Sequence, residues 1–379
     1  MAASPSSPFT DLRLVDGGRY VPDPVAWRPA DGRPWRLAPA PPPLRPDDLA
    51  GRPPGLWRYR EALPFADPEA AAARCGLGEG GTPLVDLGDG LTGKLELASP
   101  TLSFKDRGAT VLVAAAAALG VERIVCDSSG NAGTAIAAYA ARAGLPAVVF
   151  VPAATSPAKL VQARAHGAEI RTVPGDRAAA ARAAEDEVER TGAFYASHAW
   201  NPLFLEGTKT YAYELWEQRG FAAPGAVVVP AGNGTLFLGA LKGFAELRAA
   251  GLVDRLPAFV VAQAAACAPL WHAVHGRAAA PADVAGPTIA EGIAIAQPPR
   301  LEEMVAAVRQ VGARVEVVAD DEIVRARDDL ARRGLFVEPT AAVPYAVARR
   351  IRRELPADCV VPLCGAGLKA VTAPAGPAC

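Results

Sequence analysis

Short apolar runs alternate with longer helix-forming segments along most of this chain, and that alternation is the strongest constraint on its fold. One series of such runs lies at 124–126, 147–151, 170–173 and 194–196, and a second lies at 226–229, 259–262, 314–318 and 359–363. Strands joined by helices form right-handed βαβ units, so the pattern predicts parallel sheets. The predicted fold class is therefore α/β, with two doubly wound parallel-sheet lobes. A ligand cleft is expected between the lobes, at the carboxyl ends of the strands.

The length of 379 residues suits two modest domains, because a single hydrophobic core stops growing well below that size. We predict an irregular N-terminal extension at 1–75, a smaller α/β lobe at 111–200, and a larger lobe made of 76–110 and 201–379. The extension is rich in Pro and Arg but holds Trp27, Trp35 and Trp57. Exposed indoles would waste apolar area, so these side chains are expected to lie against the body of the protein.

Charge and composition exclude several classes of partner. The chain has 39 basic and 40 acidic side chains and a formal net charge of −1. No dense run of Lys and Arg is present, so nucleic-acid binding is not expected. The residues show neither a signal peptide nor an apolar stretch that could span a membrane, which predicts a cytoplasmic protein without a membrane partner. The six cysteines are scattered singly, and His272 and His275 have no third ligand in view, so no metal site is predicted.

Lys105 is the first candidate for chemistry. It lies in the segment Ser-Phe-Lys-Asp-Arg-Gly at 103–108, directly before a predicted helix at 109–119. The positive end of a helix dipole lowers the pKa of an amine, which favours a lysine that reacts with a carbonyl group as the free base. The alternative is an ordinary solvated lysine beside two other charged residues.

Two loops of small residues each follow a predicted strand and precede a predicted helix. Such loops present backbone N–H groups, together with the positive end of the helix dipole, to an anion. The first suits a substrate carboxylate and consists of Ser128, Ser129, Gly130 and Asn131, whereas the second suits a cofactor phosphate and consists of Ala231, Gly232, Asn233, Gly234 and Thr235. A third strand, at 359–363, runs into Cys364 and another glycine loop. Taken singly, each loop is also compatible with an ordinary capped turn.

The order of these segments resembles the threonine synthase family of fold type II enzymes, which depend on pyridoxal 5'-phosphate (PLP) and share the tryptophan synthase β-like architecture. The matching stretches are 78–84 (GEGGTPL), 103–108 (SFKDRG), 129–131 (SGN), 201–202 (NP) with 206–210 (EGTKT), 232–234 (GNG), 338–341 (EPTA) and 367–369 (GLK). The resemblance covers about residues 78–369 and implies that the larger lobe binds PLP.

The resemblance also implies a role for each candidate residue. Lys105 would hold PLP as a Schiff base and act as the catalytic base, and Asn131 would bind the 3'-oxygen of the pyridine ring. The loop at 231–235 would hold the cofactor phosphate, and Cys364 would face the pyridine nitrogen. The loop at 128–131 and Lys209 would bind the amino-acid substrate. The implied reaction is that of a lyase converting O-phosphohomoserine to threonine and phosphate, in a homodimer.

Several features depart from the family pattern and leave other functions open. Relatives commonly have an arginine, suited to a substrate phosphate, where this chain has Phe204, and a phenyl ring cannot replace a guanidinium group. A paralogue that performs β-replacement or elimination on another activated amino acid, like a cysteate synthase or an ammonia-lyase, is therefore an alternative. A PLP-binding protein without catalysis is a second alternative. A dinucleotide-dependent oxidoreductase has only the fold analogy in its favour, since no G-x-G-x-x-G is present at the second loop.

Overall fold

The computed structural model describes residues 7–276 and 286–369. Three segments lie outside the described residues: 1–6 of the predicted extension, and 277–285 and 370–379 of the predicted larger lobe. Cys379 belongs to the last of them. Within the described residues the strands are β1 (Leu12–Arg13), β2 (Arg19–Tyr20), β3 (Leu84–Asp86), β4 (Leu91–Lys94), β5 (Ile124–Cys126), β6 (Ala147–Pro152), β7 (Glu169–Val173), β8 (Phe194–Tyr195), β9 (Ala226–Pro230), β10 (Ala258–Ala264), β11 (Arg314–Val318) and β12 (Cys359–Pro362). No described helix has the length and apolar character needed to cross a membrane.

Helices follow most of these strands. They are α1 (Pro68–Cys75), α2 (Lys105–Ala118), α3 (Asn131–Ala143), α4 (Pro157–Ala165), α5 (Arg177–Thr191), α6 (Leu203–Thr208), α7 (Thr210–Gln218), α8 (Thr235–Ala249), α9 (Pro269–Val274), α10 (Leu301–Val311), α11 (Asp320–Arg332) and α12 (Pro339–Arg350). Local signals explain several ends: the Asp176 side chain accepts a hydrogen bond from Ala179 at the start of α5, and left-handed glycines end α3 and α5.

Two separate sheets confirm the predicted α/β class with two parallel-sheet lobes. The smaller sheet has the order β7-β6-β5-β8 and is entirely parallel. The larger sheet has the order β11-β10-β9-β12-β4-β3 and is parallel except for the β3–β4 pair. Helices cover both faces of a parallel sheet, so its central strands are buried along their length. Strand β9, for example, is the buried apolar run AVVVP at 226–230.

Helix α2 carries Lys105 and is fixed between the lobes by close packing and by buried charge. A Cβ atom on Gly207 of α6 would lie 1.9 Å from the carbonyl oxygen of Arg107, so the two helices touch backbone to backbone at this point. The Arg107 guanidinium donates hydrogen bonds to Glu96 at 2.7 and 2.8 Å and to Glu214 at 3.0 Å. All three side chains are buried, and Lys94 also pairs with Glu214. The start of α2, where Lys105 lies, is therefore held rigidly in relation to the larger sheet.

The N-terminal extension lies against both lobes. Trp27 packs edge-to-face on Tyr195 and Trp200, with ring centroids 5.0 and 5.5 Å apart. The Trp57 indole donates a hydrogen bond of 2.6 Å to Glu79. These contacts bury apolar area that would otherwise be exposed to water. Tryptophans of an extension that packs against the rest of the protein are expected to behave in this way.

Candidate active site

The carboxyl ends of strands from both sheets surround a cavity of about 1050 Å³. The loop after β5 leads into α3, the loop after β9 leads into α8, and the chain after β12 leads to Cys364. All three segments line the cavity together with Lys105. This position, at the carboxyl ends of parallel strands and between two lobes, is where α/β folds generally bind their ligands.

Lys105 projects into the cavity from the first residue of α2 and is half-buried. Its Nζ donates a hydrogen bond of 3.2 Å to Oγ1 of Thr235, which is the first residue of α8. Burial, followed by the positive charge of Arg177, lowers the pKa of Lys105 to about 7. At neutral pH a large fraction of this amine is therefore unprotonated and able to attack a carbonyl group.

The loop at 128–131 meets the start of α3 at the edge of the cavity. A Cβ atom on Gly133 would lie 1.8 Å from the carbonyl oxygen of Ser128, so only glycine lets the loop fold so closely over the first turn of the helix. The loop therefore presents its small residues and the N-terminus of α3 to the cavity, an arrangement suited to a carboxylate. The amide of Asn131 donates to both carboxylate oxygens of Glu338, at 3.0 and 3.1 Å.

The two glycines of the second loop, Gly232 and Gly234, have no room for a side chain. A Cβ atom on Gly232 would lie 2.8 Å from Cα of Ile293, and one on Gly234, whose φ is +78°, would lie 2.3 Å from the sulfur of Met304. The loop ends at the N-terminus of the 15-residue helix α8. Backbone N–H groups and a helix dipole directed at the cavity form an anion site of the kind that binds phosphate.

Cys364 lines the cavity from the end of the central strand β12 and is buried. Burial raises the pKa of its thiol well above the ordinary value, and the charge of Glu338 adds to the shift. The thiol is therefore neutral near pH 7, and it offers a weak hydrogen-bonding group rather than a charge to whatever lies beside it.

The structure does not bring two of the predicted site residues into the cavity. Lys209 is buried among α6, α7 and α8, where its Nζ pairs with Glu206 at 2.6 Å and Glu246 at 3.0 Å. Ala231 is also buried, and its N–H donates to the carbonyl oxygen of Ala262 at 3.0 Å. Neither residue lines the cavity. Both contribute to the packing around the site instead of to its surface.

Four cavity residues carry chemistry that the sequence did not single out, namely Arg177, His198, Glu338 and Lys369. Glu338 lies in the matched EPTA stretch, so that motif could have marked it. Burial raises the pKa of Glu338, and the hydrogen bonds from Asn131 oppose that shift. Lys369 lies in the matched GLK stretch, which could likewise have marked it. His198 and Arg177 have no local pattern that sets them apart from surface or core residues. Within the described residues no group of three or more His, Cys, Asp or Glu side chains is arranged to hold a metal ion.

The cavity has the features that PLP requires. An aldehyde needs an unprotonated amine, which Lys105 supplies, and a phosphate ester needs backbone donors at a helix N-terminus, which the loop at 232–234 supplies. Side chains on that loop would collide with Ile293 and Met304, so the glycines keep its backbone close to the ligand. The amine and the start of α8 are joined by the hydrogen bond to Thr235, so one ligand can reach both. The fold and the site together define a PLP-dependent enzyme of fold type II.

Comparison with known proteins agrees with this class. Residues 76–365 match the model of the family described as pyridoxal-phosphate dependent enzyme. The threonine synthase of Methanocaldococcus jannaschii is 37% identical over 311 residues, which cover 79% of this chain and 76% of that protein. The threonine synthase of Methanosarcina acetivorans is 35% identical over 313 residues, which cover 79% and 75%. The solved threonine deaminase of T.th. has a TM-score of 0.66 at 25% identity and covers 79% of this chain and 96% of that one.

The chain therefore belongs to the pyridoxal-phosphate dependent enzyme family and, within it, to the threonine synthase group. Its cofactor is PLP, and the enzymes of this group are lyases. The predicted family, cofactor and enzyme class are confirmed.

Proposed function

We propose that this enzyme converts O-phosphohomoserine and water to threonine and phosphate. The observation that carries the proposal is the 37% identity to a threonine synthase over most of both chains. The cavity adds support, because an amine of lowered pKa and two anion-binding loops lie around one space. A substrate with both a carboxylate and a phosphate, acting with a phosphorylated cofactor, needs several anion sites within one cleft.

Each candidate residue has a defined task in this proposal. Lys105 attaches the cofactor, and the loop at 232–235 holds the cofactor phosphate. The loop at 128–131 binds the α-carboxylate of the substrate, while Cys364 remains a neutral neighbour of the pyridine nitrogen. Lys209 is left out of the substrate-binding set because Glu206 and Glu246 already hold its ammonium group outside the cavity.

The chemistry divides between cofactor and protein. When bound, PLP withdraws electrons from the substrate Cα and so makes the bonds at that carbon easier to break. Lys105 removes the proton from Cα and then moves protons between Cα, Cβ and Cγ. Its pKa of about 7 suits this work, because a base that must accept and return protons works best when its pKa is near the working pH. The Cγ–O bond breaks, phosphate leaves, and water adds its oxygen at Cβ.

The test is to incubate the holoenzyme with O-phospho-L-homoserine in water labelled with ¹⁸O. The proposal predicts threonine and phosphate in equal amounts, with the label in the threonine hydroxyl and none in the phosphate, because the carbon–oxygen bond breaks. Homoserine with labelled phosphate would indicate a phosphatase instead and would exclude the proposal. Lys105→Ala serves as the control for residual chemistry that does not depend on the cofactor.

One observation favours a second candidate, an enzyme acting by β-replacement or elimination on another activated amino acid. Phe204 stands where an arginine is expected by resemblance, and it is fully buried rather than directed at a ligand. The same assay with O-phospho-L-serine distinguishes the two candidates. Phosphate release from phosphoserine alone, with pyruvate or a β-substituted product, would replace the first proposal with the second.

A further inference from the structure

Phe204 places an uncharged, buried ring behind the wall of the cavity, near Lys105 and His198. Its ring lies 5.8 Å from that of His198 and 5.6 Å from Nζ of Lys105. A Cβ atom on Gly108 would lie 2.4 Å from the Phe204 ring, so the aromatic side chain is tightly enclosed. An arginine in this place would bring a positive charge to Lys105 and His198. Phe204 brings none.

Arg177 brings a positive charge to the same cavity from the smaller lobe. It is the first residue of α5, it lines the cavity, and it is exposed to solvent. Burial is the main cause of the lowered pKa of Lys105, and the Arg177 charge is the largest electrostatic cause. Burial also lowers the pKa of His198, with further contributions from the charges of Lys105 and then Arg177. The guanidinium group therefore acts on the same two residues that the Phe204 ring touches.

The Arg177 guanidinium has no carboxylate partner. Throughout residues 7–276 and 286–369, no Asp or Glu oxygen lies within ion-pair distance of it, and it donates no side-chain hydrogen bond. The neighbouring Asp176 accepts from Ala179 instead, and Glu187 pairs with Arg171. Other cations of the cavity differ in this respect: Lys159 pairs with Glu291, and Arg327 pairs with Asp328 at 2.8 Å. A planar group of five donors that faces a cavity without a partner is free to bind a phosphate through two parallel hydrogen bonds.

Lys369 is the other cation without a hydrogen-bond partner among the cavity residues that the structure describes. Its Nζ is buried. Burial lowers the pKa of Lys369 to about 8, and the charges that oppose this shift are those of Asp106 and Glu338. Negative charge near Lys369 therefore already compensates its ammonium group. No carboxylate of the described residues lies within ion-pair distance of the Arg177 guanidinium.

We infer that Arg177 binds the distal phosphate of the substrate, in the cavity that it lines together with Lys105, His198 and Asn233. The amide of Asn233 contacts Nε2 of His198 at 3.0 Å, and both residues line the same cavity as Arg177. The ligand class is an amino acid whose side chain ends in a phosphate ester. The inference rests on the proposed function and names the residue that would make it specific for a phosphorylated substrate.

The test compares a phosphorylated ligand with its matched unphosphorylated form. Rapid-mixing absorbance of the bound cofactor gives the dissociation constants of O-phospho-L-homoserine and L-homoserine before turnover. These constants are measured in the wild type, Arg177→Gln, Arg177→Lys and a control, Arg182→Gln. Arg182 is exposed on the same helix but does not line the cavity. Cofactor content and the melting temperature are measured for every variant.

In Arg177→Gln we expect the dissociation constant of the phosphorylated ligand to rise by at least about tenfold, the scale of charge-assisted hydrogen bonds, while that of L-homoserine is unchanged. In Arg177→Lys the dissociation constant of the phosphorylated ligand should lie between those of the wild type and Arg177→Gln, because lysine keeps the charge but not the planar guanidinium group. The control should match the wild type. An unchanged constant for the phosphorylated ligand, or equal weakening of both ligands, overturns the inference. If the wild type binds O-phospho-L-homoserine but forms no threonine, the proposed function is refuted. The role of Arg177 in binding the phosphate can still be measured in that case.

Discussion

The lowered pKa of Lys105 leads to a direct prediction about how fast the enzyme takes up its cofactor at different pH values. The perturbation is a change of pH during addition of PLP to the cofactor-free protein. With a pKa of about 7, roughly nine-tenths of the amine is unprotonated at pH 8. With the ordinary value of 10.5, only about 0.3% would be. The unprotonated fraction at pH 8 is therefore about 300-fold larger than for an ordinary lysine of equal access, and attachment should be faster than for such a lysine.

The assay follows the visible absorbance of the cofactor after rapid mixing, from pH 5.5 to 10. The same cofactor mixed with Nα-acetyl-lysine, with its rate expressed per unprotonated ε-amine, corrects for ionisation of the cofactor itself. After that correction the rate should rise about tenfold per pH unit below pH 7 and level off above it, because the amine is by then mostly unprotonated. A rate that still climbs steeply between pH 8 and 10 would refute the claim that burial and the Arg177 charge activate this amine.

Three further predictions concern the buried charges and close contacts around the site. Burial would raise the pKa of Glu214, but the charges of Arg107 and Lys94 outweigh it and hold the pKa below its ordinary value of 4.5. The stability that Glu214 supplies is therefore present above about pH 4.5 and is lost as the pH falls towards the folded-state pKa. Glu214→Gln should lower the unfolding free energy at pH 7 by about 3–5 kcal/mol and flatten its decline in acid, as measured by urea titration. Gly207→Ala should lower the free energy of unfolding by about 1–3 kcal/mol or more in the same titration, because the new methyl group collides with backbone atoms of Arg107. Glu338→Gln removes a negative charge that favours the protonated form of Lys105, so the plateau of the cofactor-uptake profile should move to lower pH by less than about one unit. Unaltered acid stability, an alanine variant as stable as the wild type, or an unmoved plateau would contradict these three in turn.

The sequence was sufficient to predict most of the parallel strands. The runs in β5, β6 and β9 are short and almost wholly apolar, and glycine or a capping residue marks the ends of the following helices. Those signals are local, so they need no knowledge of the folded protein. The pattern could not predict β3 and β4. Their sequences, LVD and LTGK, mix polar with apolar residues, and β4 is held by its pairing with β12, which lies far away in the chain.

The candidate site shows the same division between local and distant information. Lys105, the loop at 128–131 and the glycines at 232 and 234 are local motifs at strand ends, and the structure brings them together around one cavity. The role expected for Lys209 rested on a motif match alone. Glu206 lies three residues earlier on the same side of a helical turn, which is the spacing of an intrahelical ion pair, and the structure contains that pair. Arg177 and Lys105 line one cavity only because of how the two lobes meet, so no local pattern reveals this.

The central claim, that Lys105 carries the cofactor, is tested most directly by locating the covalent bond. The holoenzyme is reduced with sodium borohydride and digested, and its peptides are analysed by mass spectrometry. The account predicts the added mass of the reduced cofactor on the peptide that contains Lys105. It predicts none on the cavity residues Lys159 and Lys369. Label on either of those lysines, or a Lys105→Ala protein that keeps the absorbance of the bound cofactor, would contradict it.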